Sequence, residues 1–77
     1  MAIKVLAFGQ ISDIISKTEM EFSSIANTEQ LTSELSKQFP KLAQVKYAIA
    51  VNKKIITQKT VLNDKDIVAL LPAFSGG

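Results

Sequence analysis

The sequence ends in Gly76-Gly77, and this pair has the clearest chemical potential in the chain. The two glycines follow a compact apolar stretch, residues 67–71, and the strand-breaking Pro72. Because glycine has no Cβ, such a tail fits a channel too narrow for other residues. From Pro72 to Gly77 it can extend by at most about 20 Å. The pattern predicts a free main-chain carboxylate that reaches into the active site of a neighbouring protein.

The chain lacks the side chains that most often perform catalysis. It contains no cysteine and no histidine, which excludes a cysteine nucleophile, a thiolate metal site and the usual general base near neutral pH. We expect its 77 residues to form a single domain, residues 1–77, too small to enclose a large active-site cavity. A chain of this kind is not catalytic alone and needs partner proteins for its chemistry.

The composition and charge of the chain exclude further classes of protein. With 47% hydrophobic residues and a net charge of +2, the chain is expected to fold. Its nine basic residues are all lysines, scattered from Lys4 to Lys65, whereas nucleic-acid-binding proteins cluster basic residues and use arginine for phosphate and guanine contacts. No apolar run approaches the roughly 20 residues of a membrane span, and no signal peptide is visible. We expect a cytoplasmic protein that binds neither nucleic acid nor membrane.

The first half of the chain predicts two strands and a helix. Residues 2–8 alternate as a strand that is apolar on both faces apart from Lys4, and residues 17–23 form a second, edge-like strand. Residues 11–16 connect them, with room for a helical turn. Asn27 or Thr28 then caps a helix, and Gln30 stands where a capping-box side chain would reach back to Asn27.

The helix and the second half of the chain complete the fold prediction. Leu31, Leu35 and Phe39 share one helix face, and Pro40 is expected to end the helix, with Leu42 folding back onto the core. Strands are predicted over residues 47–51, 54–57 and 67–71, with turns at residues 52–53 and 63–66. The order β-β-α-β-β-β predicts an α+β fold, a mixed sheet of about five strands with one main helix on one face.

One helix covers only one face of such a sheet, yet the first and last strands are apolar on both faces. The apolar side chains that the helix leaves uncovered come from residues such as Leu6, Phe8, Leu71 and Phe74. Two explanations stay open. Either a partner protein covers this surface, or the connections at residues 11–16 and 58–62 fold over it.

Three sequence motifs carry a resemblance to a known family, and together they span the chain. They are Lys4-Val5-Leu6-Ala7-Phe8-Gly9-Gln10, Ala50-Val51-Asn52, and residues 62–72 leading into Ser75-Gly76-Gly77. With the order of elements, they resemble the ubiquitin-like β-grasp sulfur carriers, in particular the small subunits of molybdopterin synthase. The third motif is the most specific of the three.

The chain departs from the family pattern at three places. Ser12-Asp13 stands where relatives commonly have Arg-Glu, so a charged contact made there is in doubt. Lys65 stands where many relatives have glycine, which implies either a different turn or a positive φ at a cost of roughly 1 to 2 kcal/mol. Ala73 replaces a second proline, which loosens the tail but keeps its reactive end.

The resemblance implies a sulfur carrier subunit of molybdopterin synthase in molybdenum cofactor biosynthesis. In this family a partner adenylating enzyme uses ATP and Mg²⁺ to convert the terminal carboxylate into an acyl-adenylate. A sulfur donor then displaces AMP and leaves a thiocarboxylate on Gly77. The thiocarboxylate donates sulfur to a cyclic pyranopterin monophosphate to form the molybdopterin dithiolene. The large catalytic subunit of the synthase is the second implied partner, in a heterotetramer of two small and two large subunits, and no cofactor or metal is expected on the carrier itself.

The resemblance also assigns residues. Gly77 is the catalytic position, as acyl-adenylate and then thiocarboxylate, and Ser75, Gly76 and Gly77 form the part of the tail in the partner active site. The partner interface is assigned to Phe8, Leu71, Pro72 and Phe74, with the alternative that Phe8 belongs to the hydrophobic core. Pro72 offers no N–H to the sheet, so it is expected to end strand pairing and to release residues 72–77 as a flexible tail.

Other readings of the Gly-Gly ending stay open. They are a sulfur carrier for thiamine thiazole synthesis or another pathway such as a tungsten-cofactor route, a ubiquitin-like protein modifier joined to lysines through Gly77, and a plain interaction module. Thiazole carriers tend to be shorter and to lack the Leu-Leu-Pro approach to the tail seen at residues 70–72. The molybdopterin reading is preferred on that ground.

Overall fold

The computed structural model describes residues 2–72 and shows a mixed five-stranded sheet with helices packed against one face. The strands are β1 (Ala2–Ala7), β2 (Glu19–Ser23), β3 (Tyr47–Val51), β4 (Lys54–Ile56) and β5 (Ile67–Pro72). The helices are α1 (Gln10–Ile15) and α2 (Thr28–Gln38), and a 3₁₀ helix spans Pro40–Gln44. The predicted α+β class and the five predicted strands are confirmed, with small differences at the strand ends.

The two central strands, β1 and β5, come from opposite ends of the described chain and run parallel. The strand order is β2-β1-β5-β3-β4, and the other neighbouring pairs are antiparallel. In the parallel pair, Val5 stands beside Val68 and Ala7 beside Leu70. Since parallel strands end at the same edge of a sheet, β5 ends beside the end of β1. Pro72, the last residue of β5, therefore lies next to the end of β1 and close to Gly9.

Alternate residues of β1 and β5 build the core between the sheet and the helices. Val5, Val68 and Leu70 are fully buried. They pack with buried side chains from the helices and from the segment before β5, namely Ile11, Ile15, Leu31, Leu35, Leu42 and Leu62. Full burial of one such aliphatic side chain contributes roughly 1.5 to 3 kcal/mol, so this layer supplies the main stabilisation of the fold.

The connections at residues 11–16 and 58–62 do not cover the sheet face opposite the helices. Residues 10–15 form the six-residue helix α1, which buries Ile11 and Ile15 in the core on the helix side of the sheet. Leu62, from the segment before β5, is buried in the same core. The buried side chains of both connections therefore belong to the helix side, and the explanation that they fold over the opposite face is wrong for these residues.

Helix α2 begins and ends as its sequence predicts, with one change in its cap. Asn27 is the N-cap, and its Oδ1 accepts a hydrogen bond from the Gln30 N–H at 2.9 Å. The Gln30 side chain accepts from the Ala26 N–H at 2.8 Å, one residue earlier than the expected Asn27 N–H. The helix ends at Gln38, before Pro40, and the following 3₁₀ helix buries Leu42 as predicted.

Two turns place residues other than glycine in the left-handed region. Asn52 and Lys53 join β3 to β4 with φ values of 49° and 73°, which suits a tight two-residue hairpin turn. Lys65 has φ of 70°, so it adopts the positive φ that was one of the two predicted alternatives. Its N–H donates to the Ala2 carbonyl at 2.7 Å, which ties this turn to the beginning of β1.

Candidate functional site

The predicted reactive end and its neighbours lie outside the described residues. These are Phe74, Ser75, Gly76 and Gly77, whose roles stay predictions. What the structure does describe is the point where this segment begins. Pro72 is the last residue of the central strand β5 and stands opposite Tyr47, the first residue of β3. Pairing with β3 therefore continues up to Pro72 and does not stop before it.

The ring of Pro72 lies against Gly9. An ideal Cβ placed on Gly9 would be 2.9 Å from the Pro72 Cγ, closer than real Cβ atoms approach other heavy atoms. Gly9 also has φ of 55° and ψ of −131°, a conformation that only glycine adopts readily. Both the space and the backbone conformation at this position thus require glycine.

Phe8 and Leu71 lie side by side at the same edge of the sheet. The Phe8 N–H donates to the Leu70 carbonyl at 3.2 Å, which extends the pairing of β1 with β5 past Ala7. The Phe8 side chain is 45% exposed, so the alternative that it is a core residue is wrong. Leu71 is half-buried. Side chains alternate along a strand, which puts Leu71 and Pro72 on opposite faces of the sheet.

The sheet face opposite the helices is apolar across four strands, and we call it the outer face. Strand register aligns Leu6, Ala69, Ala50 and Ile55 in one row across β1, β5, β3 and β4. The apolar residues that the strand register places on the outer face are Leu6, Ala48, Ala50, Ile55, Ile67, Ala69 and Leu71. Phe8 extends this surface past the end of β1. Ile55 is 60% exposed and Ile67 43% exposed. Small residues lie in the middle of this surface and large exposed ones around them.

Charged residues border the outer face on the β2 side. The Lys4 Nζ lies 3.2 Å from a carboxylate oxygen of Glu19, and Glu21 stands beside Lys4 in the strand register. Both members of the ion pair are about half exposed, so the pair contributes little to stability, roughly 0 to 1 kcal/mol. An apolar centre with a polar rim is the usual anatomy of a protein–protein interface.

The described residues offer little chemistry of their own. Burial raises the pKa of the Tyr47 hydroxyl, which keeps it protonated at neutral pH. Within residues 2–72, no group of three or more His, Cys, Asp or Glu side chains is placed to hold a metal ion. In the same range, no helix is long and apolar enough to cross a membrane. The arrangement is suited to binding and to presenting a segment.

Four residues of this region were absent from the predicted site. Ile55 and Ile67 enlarge the outer face beyond Phe8 and Leu71, and the adjacent Ile55-Ile56 pair was the available signal, since neighbouring strand residues must face opposite sides. Gly9 and Tyr47 flank Pro72. Their proximity to Pro72 depends on the pairing of distant strands, which no local sequence pattern specifies.

Comparison with known proteins adds the family. The model of the ThiS family matches residues 5–77, which include the outer-face strands and the final Gly-Gly. The chain belongs to the ThiS family. A relative from Mycobacterium tuberculosis, a molybdopterin synthase sulfur carrier subunit, is 31% identical over an 80-residue alignment that covers 97% of this chain and 96% of the relative. The predicted resemblance is confirmed at the level of the family.

Solved structures confirm the ubiquitin-like β-grasp fold. The small archaeal modifier protein 1 from Methanosarcina acetivorans has a TM-score of 0.84 and 22% identity, over 99% of this chain and 96% of that one. A chain in the complex of subunits 1 and 2 of molybdopterin-converting factor from Helicobacter pylori has a TM-score of 0.75 and 28% identity, with full coverage of both chains (100%). The first likeness shows the fold alone, whereas the second comes from a relative bound to another subunit.

Proposed function

We propose that this protein is the sulfur carrier subunit of molybdopterin synthase and acts in molybdenum cofactor biosynthesis. The observation that carries the proposal is the family match over residues 5–77, together with a relative of that name aligned along nearly its whole length. The match includes Gly76-Gly77, where the chemistry is placed. The fold supports the same role, because β5 ends at Pro72 at the edge of the sheet beside the exposed Phe8.

The first step activates the Gly77 carboxylate, which is a poor electrophile because an oxide ion is a very poor leaving group. A carboxylate oxygen attacks the α-phosphorus of ATP, and pyrophosphate leaves. Hydrosulfide then attacks the acyl carbon, and AMP leaves with the bonding electrons. The product is a thiocarboxylate on Gly77. ATP and Mg²⁺ are bound by the adenylating enzyme, so this chain contributes only the tail and the docking surface.

The second step transfers the sulfur. The thiocarboxylate sulfur forms a carbon–sulfur bond with the cyclic pyranopterin monophosphate. The carbon–oxygen bond at the attacked carbon breaks, and its oxygen leaves as water or stays on the opened phosphate. Water then attacks the acyl carbon, the acyl–sulfur bond breaks, and the Gly77 carboxylate is regenerated. Two such transfers produce the dithiolene of molybdopterin. The acid–base groups and the contacts to the substrate phosphate are assigned to the large subunit.

The outer face is the proposed docking surface for the large subunit. Its exposed apolar side chains Phe8, Ile55 and Ile67 would be covered there, and burying apolar area is the main driving force of such association. Leu71, Pro72 and Phe74 complete the proposed interface around the root of the tail. We further propose a heterotetramer of two small and two large subunits, and a cytoplasmic location, where ATP for adenylation is abundant.

Reconstitution tests this function. The chain is loaded by the adenylating enzyme with ATP and sulfide and is then mixed with the large subunit and the cyclic precursor. The expected result is molybdopterin in an amount set by the loaded carrier. The matched control is the chain with one alanine added after Gly77, which should be inactive because its terminal carboxylate is displaced. Equal product from the extended chain, or none from the loaded wild-type chain, would refute the proposal.

The likeness to a small archaeal modifier protein supports a second candidate, a ubiquitin-like modifier joined to target lysines through Gly77. Both candidates share adenylation and differ in the acceptor. Loaded chain that gives stable lysine conjugates in cell extract, and no molybdopterin in the reconstitution, would favour the modifier. A carrier for thiazole synthesis would load equally well and would give no molybdopterin with the large subunit. A carrier in a tungsten variant of the same route would give the same dithiolene, because the metal is inserted afterwards.

A further inference from the structure

We infer that Gly9 is a positioning residue for sulfur loading and transfer: it seats the ring of Pro72 and so fixes the direction in which the chain continues beyond β5. Gly9 itself touches neither substrate nor cofactor and acts through Pro72. The inference rests on the proposed function, since it concerns the segment that carries the sulfur. The observation behind it is the close approach of Gly9 to the Pro72 ring.

Gly9 is held on both sides by backbone hydrogen bonds. Its carbonyl accepts from the N–H groups of Ser12 at 3.1 Å and Asp13 at 3.4 Å, and from the Ser12 hydroxyl at 2.7 Å. The preceding residue, Phe8, donates its N–H to the Leu70 carbonyl of β5 at 3.2 Å. The Gly9 backbone is therefore fixed to both α1 and β5. We call this fixed backbone, against which the Pro72 ring packs, the Gly9 seat.

Pro72 cannot adapt to a larger residue at position 9. Its ring lacks the rotamers by which a leucine or lysine side chain moves aside, and it fixes φ near −65°. A Cβ at position 9 would lie 2.9 Å from the ring carbon Cγ. On the other side of β5, Pro72 is in register with Tyr47, which is half-buried against the core. Any displacement must therefore move the Pro72 backbone, from which the following residues continue.

The direction of the chain at Pro72 decides which positions the segment that follows can reach. Five residues come after Pro72. They can extend at most about 17 Å, so the far end stays within that distance of Pro72 and on the side to which the chain is directed. Misplacement of a reacting group by about 1 Å can lower a rate about 100-fold. The Gly9 seat thus matters to the chemistry even though Gly9 lies far along the chain from Gly77.

Steady-state kinetics of adenylation test the role in the reaction. The variants are Gly9→Ala, which fills the seat, and Pro72→Gly, which removes the ring and leaves Gly9 unstrained. We expect kcat to fall at least about tenfold in both variants. In Gly9→Ala, which keeps every residue of the proposed interface, KM for the carrier should stay within about twofold of wild type. The control is Ser24→Val, which strains another left-handed residue, with φ of 62°, at the opposite edge of the sheet.

A second measurement reports where residue 75 lies relative to the folded domain, and it needs no enzyme. Because the protein contains no cysteine, Ser75→Cys provides a unique site for a nitroxide label, whose effect on backbone amide relaxation reports where residue 75 lies. We expect a defined set of broadened amides with Gly9 and Pro72 intact. In Gly9→Ala and in Pro72→Gly the set should change, whereas Ser24→Val should leave it unchanged.

The two measurements separate this inference from the proposed function. An unchanged broadening pattern in Pro72→Gly, or a kcat loss in Ser24→Val equal to that in Gly9→Ala, would overturn the positioning role. If Gly9→Ala is unfolded, Pro72→Gly decides the question, because it leaves the Gly9 conformation unaltered. Failure of the wild-type chain to be adenylated would refute the proposed function, and the labelling experiment would still decide whether Gly9 directs the segment.

Discussion

Phe8 follows three buried side chains of β1, Ile3, Val5 and Ala7, and is the point at which the strand exposes a large aromatic ring. Sequence alternation places it on the face of Leu6, and the structure shows that this face carries no helix from the described part of the chain. Its position beside Leu71 brings an exposed ring to the root of the tail. Phe8 is therefore the residue whose substitution separates docking from folding most clearly.

Phe8→Asp is expected to weaken binding to the large subunit at least about tenfold, because a charge would be buried at an apolar contact. The free energy of unfolding should change by less than about 1 kcal/mol, since the side chain is already half exposed. Isothermal titration calorimetry and urea denaturation measure the two quantities. Val61→Asp is the matched control, an exposed apolar residue, 69% accessible, outside the outer face. Equal dissociation constants for Phe8→Asp and wild type would remove Phe8 from the interface.

Deletion of Gly77 tests the reactive residue itself. We expect complete loss of sulfur transfer with an unchanged unfolding midpoint, because terminal residues of a domain contribute little burial. Thiocarboxylate formation is followed by mass spectrometry and unfolding by circular dichroism in urea. Retained transfer by the shortened chain would contradict the assignment. Loss of the cooperative unfolding transition would instead show that the end of the chain is needed for folding.

At the scale of elements, a hydrogen-bond network joins the β3–β4 turn to the beginning of β5. The Asp66 carboxylate accepts from the Asn63 N–H at 2.8 Å and from the Asn52 side-chain amide at 3.0 Å. Both hydrogen bonds lower the pKa of Asp66, and the one from the Asn63 N–H has the larger effect. Asn52 Oδ1 in turn accepts from the Ile67 N–H at 3.0 Å. The network fixes the start of β5 at the edge opposite Pro72.

This network predicts a pH dependence of stability. The pKa of Asp66 is lower in the folded chain than its ordinary value of 3.8, so the folded state binds fewer protons. The stabilisation is present above pH 3.8 and is lost as the pH falls through the folded-state pKa. Asp66→Asn should therefore be less stable than wild type at neutral pH, with the difference shrinking in acid. Urea denaturation at several pH values measures it.

The control for Asp66 is Asp13→Asn, which removes the same charge from an exposed position of α1, at the opposite edge of the sheet. It should not reproduce the acid-dependent difference. A stability gap between Asp66→Asn and wild type that stays constant from neutral pH down to acid would contradict the role given to the carboxylate. A gap of the same pH dependence in Asp13→Asn would show that net charge, and not the network, is responsible.

Elements with strong local patterns were predicted from the sequence, and those that depend on distant contacts were not. Asn27 and the four-residue spacing of Leu31 and Leu35 suffice to define α2, and alternation defines the strands. The six-residue α1 is too short to show periodicity, and it follows Gly9, whose left-handed φ depends on its surroundings. The predicted second strand included residues 17–18, but β2 begins at Glu19 because α1 ends only at Ile15.

The same limit applies to the candidate site. Phe8, Leu71 and Pro72 were identified from the sequence motifs, and the structure brings them to one edge of the sheet. The contact of Gly9 with Pro72 joins residues 63 positions apart (72 − 9) through parallel pairing of β1 with β5. Such pairing is set by packing of the whole core. No pattern within either strand could have revealed it.

At the scale of the whole molecule, the topology brings the carboxyl ends of β1 and β5 together in the middle of the sheet. The apolar outer face, the Gly9 seat and the root of the final segment therefore share one region. A partner that covers the outer face would lie close to the point where the chain continues past Pro72. In the proposed function, this arrangement would let a chain without cysteine or histidine take part in sulfur chemistry through its main-chain carboxylate.

The intact mass of the protein shows whether Gly77 carries sulfur. The chain is incubated with ATP, Mg²⁺, sulfide and the adenylating enzyme of the same organism. We predict a mass gain equal to the difference between one sulfur and one oxygen atom, localised to Gly77 by fragmentation and absent without ATP. An unchanged mass, with an enzyme shown to load another carrier in parallel, would contradict it.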